Sequence, residues 1–378
     1  MTDWKIPLYK IFTDEEDVNL ITKVIQRGNN WALGPEIEEF ENAITNYVGV
    51  DYCLALNSGT SALHSALIAN EIGRNDDVIV PSFSFISTAN SVLFVGGKPI
   101  FADIEENTFG LSPSSIMSKK TKQTKAIIPM DYGGLSCNIL ELNQIAKENN
   151  LILIEDAAES LGSTINGKKV GSQSDCAIFS FCGNKVLTTG EGGAVVTNSK
   201  KLYEKIKLIR SHGRTDLSSS YFDNENDSQY TSLGYNWRMS SMTAALGISQ
   251  LNKLDKLIKM RQDVAKKLSI GLSKFQEISL LTPPNGYEHI YQLFTIRLSS
   301  NELRNKLHDF LTKKQIFSKV YFNPIHLTDL YKSEFPSESL PVTELISTQI
   351  LTIPLYPNMT QEEISYVLES FNEFFENN

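Results

Sequence analysis

The chain of 378 residues is 41% hydrophobic, 21% charged and 10% aromatic, enough apolar mass for a sizeable core and about two domains. Its net charge of −9 and pI near 5.2 argue against unaided nucleic-acid binding, which needs a basic surface. No apolar run approaches the ~20 residues of a membrane span. Met1–Lys5 shows no basic region leading into an apolar core, and Cys53, Cys137, Cys176 and Cys182 lack zinc-ligand spacing. Free thiols, a cytoplasmic location and no structural metal or membrane anchor are expected.

Along the chain, Pro35 after Gly34 opens a helix carrying Ile37, Phe40 and Ile44. From Tyr52 to Thr197 short apolar runs alternate with helical patterns such as Ser61–Ala69 and Asn138–Glu148. The runs are Cys53–Leu56, Val78–Val80, Pro99–Ala102, Ala126–Pro129, Leu151–Glu155, Ala177–Ser180 and Ala194–Val196. They are continuous rather than alternating, as expected of strands covered on both faces. Repeated strand–helix–strand units imply an α/β fold with a mostly parallel central sheet. Ser240 to about Leu272 reads as a long helical stretch carrying Met242, Leu246, Leu251, Leu254 and Leu257. Beyond Pro283-Pro284-Asn285-Gly286 the texture changes to a strand over Ile290–Leu298 and helices over Glu302–Lys313 and Gln361–Phe375. This divides the chain into a large domain over residues 1–250 and a smaller C-terminal α/β domain over 251–378.

Three segments carry chemistry. Asn57-Ser58-Gly59-Thr60-Ser61 joins a strand to a helix, where backbone N–H groups and the helix dipole favour an anion; an ordinary N-cap is the plainer alternative. It is neither a P-loop nor a Gly-x-Gly-x-x-Gly turn. Glu155-Asp156-Ala157-Ala158-Glu159 closes the most apolar short run of this half, placing a carboxylate at a strand's carboxyl end, where open α/β sheets bind ligands. Helix capping is its alternative, although the alanines would admit a flat ring. Lys185 follows Asp156 by 29 residues, within Ser180-Phe181-Cys182-Gly183-Asn184-Lys185 and before Thr188-Thr189-Gly190-Glu191-Gly192-Gly193. A solvated surface lysine is the plain reading. Apolar, glycine-rich surroundings would instead desolvate the amine and favour the neutral nucleophile that forms an imine.

In the order phosphate turn, acid, lysine, the chain resembles the DegT/DnrJ/EryC1/StrS sugar aminotransferases, pyridoxal-phosphate enzymes of fold type I. The matching segments include Asn57–Leu63, Val80-Pro81-Ser82-Phe83-Ser84-Phe85, Glu155–Glu159, Phe179–Gly193, Gly234-Tyr235-Asn236-Trp237-Arg238-Met239, Pro324-Ile325-His326 and Leu355-Tyr356-Pro357. The resemblance implies that Lys185 carries the cofactor and transfers protons, and that Asp156 pairs with the pyridine nitrogen. It implies that Phe85 and Ala158 flank the ring, and that Gly59, Thr60 and Ser180 hold the phosphate. Glu159 would approach the ring hydroxyl, where many relatives carry Gln; a carboxylate there only accepts unless protonated. Asn236 would reach the phosphate of a neighbouring subunit, making the active site a property of a homodimer. Arg238 has an interface ion pair as its plain alternative. Arg214 and His326 are candidate substrate contacts with structural roles equally open, and Lys319 stands where some relatives have Arg.

The resemblance further implies transamination from L-glutamate, through pyridoxamine phosphate, to a nucleotide-linked keto-sugar. Within the family the lysine and Gly234-Tyr235-Asn236 segments look most like those of perosamine synthases, which aminate C4 of GDP-4-keto-6-deoxymannose. Relatives acting on UDP- or dTDP-linked 4-keto-6-deoxy sugars share much of the pattern, and loops such as Asp216–Thr231 carry nucleotide contacts in such enzymes. The family's dehydratases have His at the lysine position, so Lys185 speaks against dehydration. A non-catalytic cofactor-binding protein would need a broken constellation or a fused DNA-binding module, and neither is visible.

Overall fold

The computed structural model describes residues 4–215, 229–335 and 339–377. All seven apolar runs become strands of one sheet: β1 (Tyr52–Leu56), β2 (Asp77–Pro81), β3 (Lys98–Ala102), β4 (Thr124–Ile127), β5 (Ile152–Asp156), β6 (Cys176–Ser180) and β7 (Gly193–Thr197). Their spatial order is β1-β7-β6-β5-β4-β2-β3. Pairings among β2, β3, β4, β5 and β6 are parallel, while β7 runs antiparallel to both β6 and β1. β1 therefore points the same way as β6. The carboxyl ends of β1, β2, β4, β5 and β6 converge on one edge of the sheet, and the link from β6 to β7 turns back there carrying Lys185. Helices cover both faces, which explains runs such as Ala177-Ile178-Phe179 with no exposed side.

A second, antiparallel sheet of β8 (Ile278–Leu280), β9 (Phe294–Leu298) and β10 (Ile350–Ile353) packs with the helices Asn301–Lys313 and Gln361–Glu376. The helix Leu254–Leu272 serves both regions. Leu254, Leu257 and Ile258 join Phe40 and Phe179 in the large core, whereas Leu268 and Leu272 join Leu311 and Phe371 in the small one.

Two segments depart from the sequence pattern. The helical stretch expected over Ser240–Leu272 is present as two successive helices, Ser241–Asn252 and Leu254–Leu272, with a break at Lys253 (φ −108°, ψ 6°) that the pattern does not show. Its amine is drawn inward to ion pairs with Asp14 and Asp17, contacts from a distant segment that local periodicity cannot report. The strand expected over Ile290–Leu298 begins only at Phe294, because the Ile290 and Leu293 amides donate instead to the Gly134 and Gly133 carbonyls. Among the described residues no helix is long and apolar enough to cross a membrane, and no group of three or more His, Cys, Asp or Glu could hold a metal ion.

Candidate active site

Asp156 ends β5 with its carboxyl buried. Thr88 Oγ1 donates to its Oδ2 (2.7 Å) and the Ala158 amide to its Oδ1 (3.3 Å). Burial nevertheless pushes this carboxyl up to about 6 from 3.8; its hydrogen bonds and the Lys185 charge oppose the shift, and Glu159 adds to it. A buried anion so poorly compensated is stabilised by a cation brought against it.

One strand-end away, Ser58 caps the helix Gly59–Ala69: its Oγ accepts the Ser61 amide (3.1 Å) while Ser61 Oγ accepts the Ser58 amide (3.2 Å). The capping alternative is thus realised, and the amides of Gly59 and Thr60 remain in the first turn. A Cβ at Gly59 would lie 2.9 Å from Ser180 Cβ, and one at Gly193 2.4 Å from the Ser58 carbonyl oxygen. Glycine at both positions lets the helix start, the end of β6 and the start of β7 close into one cradle.

Lys185 is not a surface lysine. Its side chain is 13% exposed, and Nζ meets Glu159 Oε1 at 3.1 Å. Glu159 Oε2 accepts the Gly133 amide (2.9 Å). The amine thus has a buried counter-ion as well as the apolar, glycine-flanked surroundings. Gln292, two residues before β9, accepts the Val186 amide (2.8 Å) and donates to the Asn184 carbonyl (2.8 Å), clamping the backbone on both sides of the lysine. Thr88, Gly133 and Gln292 have no motif spacing to Lys185 or Asp156 and were not singled out by sequence.

Around this centre Phe85 is 59% exposed, its ring free to receive a flat partner, and Ala158 is half-buried beside Asp156. Lys185, Glu159, Asp156, Ala158, Gly59, Thr60, Ser180 and Phe85 all project from the same edge of the sheet. Asn236 is exposed, with its carbonyl 3.5 Å from Asn57 Nδ2. Arg214 is buried beside the undescribed residues 216–228, so most of the loop expected to contact a nucleotide lies outside the described residues. Arg238 donates to Ser211 Oγ (3.1 Å). His326 is buried with both ring nitrogens engaged, Nδ1 with Ser82 Oγ (2.6 Å) and Nε2 with Glu344 Oε1 (3.3 Å), the arrangement of its structural alternative. A cleft of about 790 Å³ along the outer edge of β1, bounded by Glu41, Arg210 and Arg238, contains neither Lys185 nor Asp156. The chemistry lies elsewhere.

An amine, a buried acid lacking a cation and a glycine-lined helix start suit the aldehyde, ring nitrogen and phosphate of pyridoxal phosphate. Fold and site define a pyridoxal-phosphate-dependent aminotransferase of fold type I. The family model described as "DegT/DnrJ/EryC1/StrS aminotransferase family" matches residues 12–372, and the chain belongs to that family, whose sugar aminotransferases it matches in sequence and structure. It is 35% identical over 347 residues to the GDP-perosamine synthase of Caulobacter vibrioides, covering 90% of this chain and 91% of that one. Identity to the GDP-perosamine synthase of Escherichia coli O157:H7 is 32% over 370 residues, covering 98% of each. The structure of Helicobacter pylori PseC, an aminotransferase involved in the biosynthesis of pseudoaminic acid, superposes with a TM-score of 0.92 at 29% identity, over 99% of this chain and 100% of that one.

Proposed function

We propose that this enzyme moves the amino group of L-glutamate to C4 of a nucleotide-linked 4-keto-6-deoxy sugar, with GDP-4-keto-6-deoxymannose as substrate and GDP-perosamine as product. The observation that carries the chemistry is the 3.1 Å pair of Lys185 and Glu159 on the sheet edge that also bears Asp156 and the Ser58–Thr60 helix start. The choice of sugar is supported by the perosamine synthases among the relatives; UDP- and dTDP-linked sugars are the competing substrates. The reading includes a cytoplasmic location and delivery of the product to a surface polysaccharide such as O-antigen.

Bound pyridoxal phosphate supplies an electron sink for breaking the C–H bond beside the donor's nitrogen. Lys185 Nζ would hold the cofactor's aldehyde carbon and would take the proton from the donor's α-carbon. Asp156 keeps a proton on the ring nitrogen, its buried charge compensated by that contact. Gly59, Thr60 and Ser180 would hold the phosphate, Phe85 and Ala158 would flank the ring, and Glu159 would approach the ring hydroxyl. Arg214 and His326, both buried, are the candidate substrate contacts of this reading.

The reading also includes a homodimer in which Asn236 reaches the partner's phosphate. Support comes from apolar surface around it: Leu233 is 81% and Phe94 53% exposed, and the Tyr235 and Trp237 rings that flank Asn236 stack at 3.9 Å. Sedimentation showing a fully active monomer at assay concentration sinks this part.

The deciding experiment loads the enzyme with glutamate and then offers GDP-, UDP- and dTDP-linked 4-keto-6-deoxy sugars separately. Return of the visible pyridoxal absorbance should be fastest with the GDP sugar. Return with none of them would remove the sugar assignment.

A further inference from the structure

Lys185 lies in a turn that its own sequence holds loosely. Gly183 stands two residues before it, and Gly190, Gly192 and Gly193 follow, a composition that leaves the backbone much freedom. Within the turn the Lys185 amide donates to the Cys182 carbonyl (2.9 Å) and the Thr189 amide to the Phe181 carbonyl (2.9 Å). The Val186 amide and the Asn184 carbonyl are bonded from outside it, both by the Gln292 carboxamide at 2.8 Å. Packing alone would be served by an apolar side chain at position 292. A buried carboxamide costs desolvation energy unless both its ends are bonded, and here the two bonds fall on either side of the lysine.

Gln292 is itself fixed from two sides. Arg261, on the helix Leu254–Leu272, donates through Nη2 to the Gln292 carbonyl (2.9 Å) and through Nε to the Tyr291 carbonyl (2.8 Å); Nη2 also reaches the Leu355 carbonyl (3.2 Å). This guanidinium is buried, and among the described residues it makes no ion pair, so backbone carbonyls alone compensate it. On the other side the Gly133-Gly134 backbone comes so close that a Cβ on Gly134 would lie 2.7 Å from the Gln292 nitrogen, at a φ of +95° that glycine takes freely. The Leu293 amide donates to the Gly133 carbonyl (2.9 Å), and the Gly133 amide donates to Glu159 Oε2 (2.9 Å), whose Oε1 faces Lys185 Nζ. One contact, Gly133-Gly134 against Ile290–Leu293, thus places both the backbone of Lys185 and the counter-ion of its amine.

We propose that Gln292, braced by Arg261, is a positioning residue for proton transfer: it sets the direction from which Lys185 Nζ approaches the donor's α-carbon, and it touches neither substrate. The inference rests on Lys185 being the cofactor-bearing lysine of the reading above, and it names what aims that lysine. Aim matters because a displacement of about 1 Å at the reacting atoms costs on the order of 10²-fold in rate.

The test uses Gln292→Met, which keeps the chain length and removes both bonds, and Arg261→Lys, which keeps the charge but cannot fork between the Tyr291 and Gln292 carbonyls. In the cofactor-free proteins, hydrogen exchange read by mass spectrometry should be about tenfold faster for the peptide spanning Lys185 and Val186 in Gln292→Met, with peptides from β5 and β6 unchanged. In the loaded proteins, glutamate and α-deuterated glutamate are compared by the loss of visible absorbance. The maximal rate should fall about 10- to 100-fold in Gln292→Met and less in Arg261→Lys, with the glutamate KM within about threefold of wild type. The deuterium effect should be at least as large as in wild type, because proton transfer is the slowed step. Faster exchange with wild-type rates overturns the inference, since the clamp then serves the fold alone. A slowed reaction whose deuterium effect shrinks overturns it too, as does faster exchange across the whole sheet. Should Gln292→Met not fold, Arg261→Lys is read by the same criteria, and a wild-type Val186 amide exchanging as freely as an unstructured one removes the clamp itself. Borohydride labelling that places the wild-type cofactor on another lysine instead overturns the reading beneath the inference.

Discussion

Two places in this molecule bury a lysine against carboxylates, and they are built to opposite ends. At the break between the helices Ser241–Asn252 and Leu254–Leu272, Lys253 meets both Asp14 and Asp17. Burial alone would raise the Asp17 carboxyl, but the Asp14 amide, Gln250 and Lys253 outweigh it and hold it below the usual range. At the sheet edge, burial of Asp156 wins instead, and Lys185 has the one carboxylate of Glu159. The first cluster is satisfied and closes a joint. The second is left short of compensation, as expected where a ligand completes the balance.

The sharpest break between them is to remove each lysine. Lys185→Ala should abolish the visible absorbance of bound cofactor and lower transamination by more than about 10³-fold. Borohydride reduction followed by peptide mass mapping should place the cofactor on Lys185 in the wild type, and finding it on another lysine would refute the assignment. Lys253→Ala should keep the absorbance but lose about 3 kcal/mol of stability, because Asp17 is left buried without its cation. Chemical denaturation with and without cofactor separates the two outcomes.

Next in size is the pair of acids. Asp156→Asn should lower turnover roughly 10²–10³-fold, as for loss of one placed electrostatic group. In the cofactor-free protein the same change should stabilise. A carboxyl that titrates near 6 when folded and 3.8 when unfolded holds more protons in the folded state between those values. Its penalty therefore appears as pH rises above about 4 and is complete above about 6, reaching ~3 kcal/mol at most. Asp17 should behave in reverse. Its lowered carboxyl contributes stability above its unfolded value that is lost as pH falls, so Asp17→Asn should destabilise at pH 7 and converge on wild type in acid. Parallel pH–stability curves for the two variants would erase the distinction drawn between the sites.

Much of this was legible in sequence for a physical reason. A strand buried on both faces must be apolar at every position, so each of the seven runs announced itself, and the chemistry sits where their carboxyl ends turn. Ser58, Asp156 and Lys185 each lie within one or two residues of a strand end or its turn, so local pattern placed them. Thr88, Gly133 and Gln292 reach the site across 68, 26 and 106 residues of chain from the groups they bond, and no periodicity carries such contacts. The break at Lys253 failed for the same reason: Ser240–Leu272 is helical in pattern throughout, and only the acids at 14 and 17 draw that residue out of register.

The smallest effect belongs to Glu159, the acid that faces Lys185. Glu159→Gln keeps an oxygen for the Gly133 amide but removes the charge facing Lys185. If the ion pair exists to hold a free amine, its loss should cost the cofactor-free protein about 1–2 kcal/mol and the loaded protein less. Covalent attachment would neutralise the amine, so the ion pair with Glu159 would belong to the cofactor-free form alone. The cofactor should consequently bind the variant as tightly as wild type or somewhat more so, with turnover changed by less than about tenfold. Melting curves of both forms read this directly. An equal loss of stability with and without cofactor would mean that Glu159 serves another partner in both states, and its resemblance to the joint at Lys253 would then be closer than its geometry suggests.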